Sequence, residues 1–320
     1  MKKLKSIKTF IEGEMIQGFY LCTQKHVRFT RNGEKYLNLE LRDITGIITA
    51  KIWHNVDVLS EKFKAGNAVA VYGNVEVFSE RLQLIIKKIN KATIQHYSRY
   101  GFDPAKVVPS SKKNPKKMWL EIENSINRIN DKFLKRLIKL IYQKNRKRLL
   151  YLPGSVKMHY SYRSGFIEQI TSTIKLAKKI CTLYDVDSDL VFTGIYLGNI
   201  GKIYEINSEY QVDYTVKGNL IGSGPLGTDI VRDEILGIKN FPSEYREKIL
   251  HIILSCQLDT NLQHYRQASF PEAVIVSQII LLDVNLNLMD MALNEDQEEG
   301  IFTNKHNIFK IPLLKKNESK

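Results

Sequence analysis

The residues in this chain best suited to chemistry are basic and aromatic side chains that alternate near its N-terminus. Lys25-His26-Val27-Arg28-Phe29-Thr30-Arg31 sets cations around an aromatic ring. Tyr36, Asn38, Lys51, Trp53 and Arg81 then add rings, an amide and more positive charge. Lysine and arginine neutralise phosphates, and aromatic faces stack bases at roughly 1–3 kcal/mol each. The combination suits an unpaired nucleic-acid strand. Trp53 is open to a second reading, since a tryptophan at a strand end also packs structurally. A separate stretch, Gly222-Ser223-Gly224-Pro225-Leu226-Gly227, has the G-x-G-x-x-G spacing of a dinucleotide loop. It lacks flanking β-α-β units, and Pro225 fits that turn poorly. No cofactor is expected.

The elements that must hold these side chains follow from periodicity. Lys35 to Arg42 alternates strictly, with Leu37, Leu39 and Leu41 on one face and Tyr36, Asn38 and Glu40 on the other. Ile48, Ala50 and Ile52 alternate with Thr49, Lys51 and Trp53. Residues 68–78 and 81–89 form a further pair about a tight turn at Ser79-Glu80, and Gly33 and Gly46 punctuate the other turns. Five short strands, each with one apolar face, suit a small Greek-key barrel of the OB type over residues 12–95. Such barrels bind single strands across their second and third strands and at one rim. That places Tyr36, Asn38, Lys51 and Trp53 outward, Lys25, Arg28, Phe29 and Arg31 in the loop between the first two strands, and Arg81 at the start of the last.

Residues 96–117 carry Gly101, Pro104, Pro109 and a lysine-rich run, and read as a basic linker. From Trp119 the period becomes helical, through Ile122, Ile126, Ile129, Phe133, Leu137 and Leu140, a stripe that suits a core face. Further helices fit residues 165–184, 189–198, 225–237, 243–257 and 271–291, with Pro271 at a helix start. Residues 118–292 therefore read as an all-α domain, and 293–320 as a partly ordered tail. The 320 residues, 43% of them apolar, suffice for two cores. The net charge of +14 is uneven: residues 1–150 hold 31 Lys and Arg against 13 Asp and Glu, and the remainder hold 17 against 21. The basic half points to a polyanionic partner. Cys22, Cys181 and Cys256 lie far apart without a C-x-x-C pair, as reduced thiols do. No run approaches the ~18 apolar residues of a membrane span. The expectation is a soluble cytoplasmic protein with no membrane partner.

The second half carries a more specific pattern. Gly194-Ile195-Tyr196-Leu197-Gly198-Asn199-Ile200-Gly201-Lys202 follows His159-Tyr160-Ser161-Tyr162 and Gly165-Phe166-Ile167-Glu168-Gln169. Tyr214 to Gly222, His251-Ile252-Ile253-Leu254-Ser255 and Pro271-Glu272-Ala273 come after. Over residues 12–290 this order resembles the YhaM-type 3′–5′ exoribonucleases, which join an OB-fold to a helical HD domain. The resemblance implies a two-domain β plus α protein, with metal ligands at positions that here do not match. The opening-helix histidine is replaced by Gln169, and the histidine-aspartate pair by Gly198 and Asn199. Later histidines are replaced by Ser223, Cys256 and Gln257, and the late-helix aspartate by Ile280. His159, His251, Lys202 and Asp283 are the residues left to line such a pocket.

A two-metal phosphodiesterase needs carboxylates and imidazoles to hold cations roughly 3.5–4 Å apart and activate a water. Neutral amides and a hydroxyl compete poorly for transition metals, and no metal is expected. The sequence thus points to non-catalytic binding of single-stranded RNA or DNA. The helical domain would serve as a platform, a second groove or a homo-oligomer interface. Two alternatives stay open: a 3′–5′ exonuclease with an altered metal site, and a protein-interaction scaffold.

Overall fold

The alternating stretches fold as strands. The computed structural model of the chain describes residues 4–207, 210–257 and 267–315. In it β1 (Met15–Phe29), β2 (Lys35–Asp43), β3 (Gly46–Ile52), β4 (Ala68–Phe78) and β5 (Arg81–Lys91) close into a barrel of order β1-β2-β3-β5-β4. That is a five-stranded OB-fold. A short α1 (Val56–Glu61) lies between β3 and β4. All neighbours are antiparallel except β3 and β5, which pair in parallel through Thr49–Gln83, Ala50–Leu84 and Lys51–Ile85. Period-two alternation puts Leu37, Leu39, Leu41, Ala50, Ile52, Val75 and Leu84 in the core. The tight turn is realised at Ser79-Glu80, where both residues take positive φ. At Gly73 the β4–β5 register slips, and an added Cβ would collide with the Ile85 carbonyl. Asp43 closes the β2–β3 turn, accepting from the amides of Ile7, Thr45 and Gly46.

The stretch expected as a linker packs instead on the barrel as far as Lys112, and its last residues open the first helix of the second unit. After α2 (Ile94–Tyr97), Phe102, Val107 and Val108 are buried against Leu21, Ala68 and Ala92. These apolar residues have no regular spacing, so periodicity could not reveal them. The barrel unit comprises Met1–Lys112 with Asn207–Asp213, and a second unit comprises Lys113–Ile206 with Tyr214–Lys320.

The second unit is helical: α3 (Pro115–Asn127), α4 (Lys132–Lys144), α5 (Arg146–Leu149), α6 (Gly165–Ile180), α7 (Ser188–Leu197), α8 (Lys202–Glu205), α9 (Val216–Ile221), α10 (Ser223–Leu236), α11 (Ser243–Ser255) and α12 (Pro271–Glu295). The stripe from Trp119 to Leu140 belongs to two helices, not one. Asp131 restarts the chain by accepting from the Phe133 and Leu134 amides. The central helix is α7, with every residue from Leu190 to Leu197 except the half-buried Phe192 buried among α4, α6, α11 and α12. By length and composition α12 could cross a membrane, which corrects the reading that no run is so apolar. Here its Ala273, Val276, Ile279, Ile280 and Val284 are buried, and it packs against α6, α7 and α11. Beyond it Leu313 and Thr303 are buried and Phe302 bridges Leu314, so this part of the tail has structure.

Candidate nucleic-acid interface

Register across β1, β2 and β3 sets the outward side chains in rows. His26 lies opposite Asn38, and Asn38 opposite Lys51. In the next row Arg28 lies opposite Tyr36, whose ring stacks on Trp53 at 4.6 Å and 27°. The Lys51 ammonium sits over three rings: 5.8 Å from Tyr36, 5.4 Å from Trp53 and 4.7 Å from Phe78. Phe78 is 61% exposed and pairs across the tight turn with Arg81. A cation held among aromatic faces can meet a phosphate while the rings take bases. Tyr36, Asn38, Lys51, Trp53, Arg28 and Arg81 therefore share one outer wall. Sequence reasoning missed Phe78, although its place beside Ser79-Glu80 and opposite Arg81 was a usable signal.

Two expectations change here. Lys25, Arg28 and Phe29 are not in a loop, because β1 continues to Phe29 as a ribbon paired with β2. Nothing between Lys25 and Phe29 breaks a strand, and the turn falls at Arg31-Asn32-Gly33 instead. Phe29, 66% exposed, and Arg31 thus lie at the ribbon's tip. Lys25 plays a structural part. Its ammonium donates to the Ser60 carbonyl at 2.5 Å and the Phe63 carbonyl at 2.9 Å, near the end of α1. Its burial there pushes its pKa down.

In the helical unit a cleft of about 460 Å³ is lined by His159, Asn199, Lys202, Ser223 and Gln257, with Tyr214 and Leu281 at its sides. The Lys202 ammonium donates to the Gly154 carbonyl and lies 3.3 Å from His159 Nε2. Burial lowers the Lys202 pKa to about 8. Burial, followed by the neighbouring ammonium, lowers that of His159 to about 3. A neutral imidazole therefore faces a buried cation at pH 7. Ser223 Oγ donates to Gln257 Oε1 at 2.8 Å, and Gln257 Nε2 donates to the Ile253 carbonyl at 2.7 Å.

Gly198, Cys256 and Ile280 come together from α7, α11 and α12. A Cβ built on Gly198 would lie 3.4 Å from Ile280 Cδ1 and 3.6 Å from Cys256 Cβ. Burial raises the Cys256 thiol to about 12, so it stays protonated. Three expected pocket residues lie elsewhere. His251 accepts from the Ser269 amide and packs on Phe270, so it serves the start of α12. Gln169 is buried with its amide nitrogen unpartnered. Asp283 is buried beside Tyr160 and Ser172, and burial raises its pKa.

Comparison with known proteins fits this division. Residues 23–92 match the family described as an OB-fold nucleic acid binding domain. The chain is 27% identical over 293 residues to the 3′–5′ exoribonuclease YhaM of Listeria monocytogenes serotype 4b, covering 90% of this chain and 91% of the relative. The YhaM of Listeria welshimeri gives the same identity and coverage. Among solved structures, the second OB-fold domain of replication protein A from Methanococcus maripaludis is 18% identical. It covers 28% of this chain and 94% of that one, with a TM-score of 0.24. Along nine-tenths of its length, then, the chain is similar to the YhaM 3′–5′ exoribonucleases, with a nucleic-acid-binding OB-fold at its N-terminal end.

Proposed function

We propose that this protein binds single-stranded nucleic acid on the outer wall of β1, β2 and β3 and does not itself cleave it. The observation that carries the binding half is Lys51, held over Tyr36, Trp53 and Phe78 on that wall. The test is a fluorescence-anisotropy titration of labelled single-stranded RNA and DNA over a range of salt. Removing one stacked ring in Trp53→Ala should weaken binding about 5- to 150-fold, from roughly 1–3 kcal/mol per ring. Lys51→Glu should also flatten the salt dependence. Binding to no strand, or wild-type affinity in both variants, would sink the reading.

The non-catalytic half is supported by chemistry. Where the resemblance puts metal ligands, the chain has Gly198, the apolar Ile280 and the protonated thiol of Cys256 packed together. Asn199, Ser223 and Gln257 are neutral, and Ser223 and Gln257 are hydrogen-bonded to each other. These residues do not fit a two-metal centre, which needs anionic carboxylates and free imidazoles. A second reading, a 3′–5′ exonuclease with an altered site, is favoured by the similarity to the YhaM exoribonucleases. Metal content and mononucleotide release, measured on one sample, separate the two. Stoichiometric metal with processive release would favour the enzyme.

A further inference from the structure

A second groove, of about 760 Å³, crosses the barrel wall away from β2 and β3, running over β1, β4 and β5 to α2. Cross-strand pairing builds its floor, with Phe19 opposite Ala70 and Tyr72 opposite Lys88. These side chains point outward because their neighbours Val69, Val71 and Ile89 are fully turned into the core. The small Ala70 leaves the middle of the floor open. Tyr97 stands edge-on to Phe19 at 5.8 Å and lies 6.1 Å from Tyr100. The Arg99 guanidinium covers the Tyr100 ring at 4.8 Å.

The charge in this groove has one sign. Lys88, Lys91 and Arg99 are exposed, and among the described residues no aspartate or glutamate lines the groove. Among the described residues none of the three lies within ion-pair distance of a carboxylate. Uncompensated cations beside aromatic rings match a polyanion that also offers flat faces, as an unpaired strand does. A duplex would keep its bases stacked inside and leave the rings idle. The first half of β1 floors this groove and its second half belongs to the Lys51 wall, so one strand of the sheet joins both surfaces.

We propose that this groove binds a second segment of the same single-stranded nucleic acid, so that the barrel holds a strand on two walls. The inference rests on the strand-binding reading above and extends it. The test compares Lys88→Glu/Lys91→Glu/Arg99→Glu, Tyr100→Ala and Tyr100→Phe with Lys51→Glu/Trp53→Ala, all in the full chain. Each is titrated over salt with homopolymeric RNA and DNA strands of about 8 nucleotides, within the roughly 4–16 that a single OB-fold covers, and of about 30, well beyond it.

With the longer strand, the triple variant should bind at least about 10-fold more weakly. The slope of log affinity against log salt should be shallower by about 2, the value for three lost single-strand phosphate contacts. Tyr100→Ala should weaken binding about 5-fold or more while Tyr100→Phe retains it, because stacking needs the ring and not the hydroxyl. Wild-type affinity and slope in the triple variant would overturn the groove and leave the Lys51 wall standing. Weaker binding with an unchanged slope would overturn it too, because lost phosphate contacts must register in the salt dependence. Failure of the unmodified protein to bind any strand would remove both sites together.

Discussion

His159 gives the sharpest quantitative handle on the helical unit. Its ring is buried beside the Lys202 ammonium, and its pKa falls from the ordinary 6.5 to about 3. The unfolded chain takes up this proton near pH 6.5, whereas the folded chain refuses it until near pH 3. Acid therefore favours the unfolded state, and stability is lost as pH falls from 6.5 towards 3. At pH 5 the unfolded state gains about 1.5 pH units of proton binding that the folded state lacks, or about 2 kcal/mol at 1.36 kcal/mol per unit. At pH 7 the same difference is nearly zero.

Urea unfolding of the wild type and of His159→Gln at both pH values isolates this contribution. Other titrating carboxylates act in both proteins and cancel, and Lys202, with its pKa of about 8, stays protonated throughout. Whatever His159→Gln does at pH 7, its stability relative to wild type should improve by about 2 kcal/mol at pH 5. An unchanged difference between the two proteins would refute the buried neutral imidazole.

Three other perturbations separate structural from binding roles. Lys25→Met should lower stability by about 2 kcal/mol, because two carbonyls near the end of α1 lose a charged donor. Strand affinity, read by anisotropy, should stay the same. Gly73→Ala should destabilise the barrel by about 3 kcal/mol in thermal melts, since the new methyl meets the Ile85 carbonyl. Gly198→His with Asn199→Asp should bind no stoichiometric manganese by elemental analysis. It should also lose about 2 kcal/mol of stability, because Ile280 and Cys256 fill the space its side chain needs.

Much of the barrel was legible because its signal is local. Leu37, Leu39 and Leu41 against Tyr36 and Asn38 fix which face is buried, and Ser79-Glu80 fixes a turn. The ribbon end of β1 was less legible, since a basic stretch rich in surface residues reads as a loop unless its partner strand is known. Asp43 as a turn-closing acceptor was invisible for the same reason, because its partner Ile7 is remote in sequence. The helical period through Ile126, Ile129 and Phe133 runs unbroken across a real break that only the Asp131 cap marks. In the helical unit, the meeting of Gly198, Cys256 and Ile280 depends on three helices packing together, and no spacing rule predicts it. The resemblance named those positions. It did not reveal that His251 serves the start of α12, or that Gln169 and Asp283 lie outside the cleft.

The short parallel junction between β3 and β5 has a consequence for how the barrel breathes. Most strand pairs run along long antiparallel ladders, but this closure rests on the register from Thr49–Gln83 to Lys51–Ile85. Amide protons there should exchange with solvent through local opening well before those of the β4–β5 ladder. Lys51 sits on one side of the junction and contacts Phe78, at the end of β4, on the other. A ligand laid across that contact would fasten the opening shut, so affinity for a strand and protection of these amides should rise and fall together.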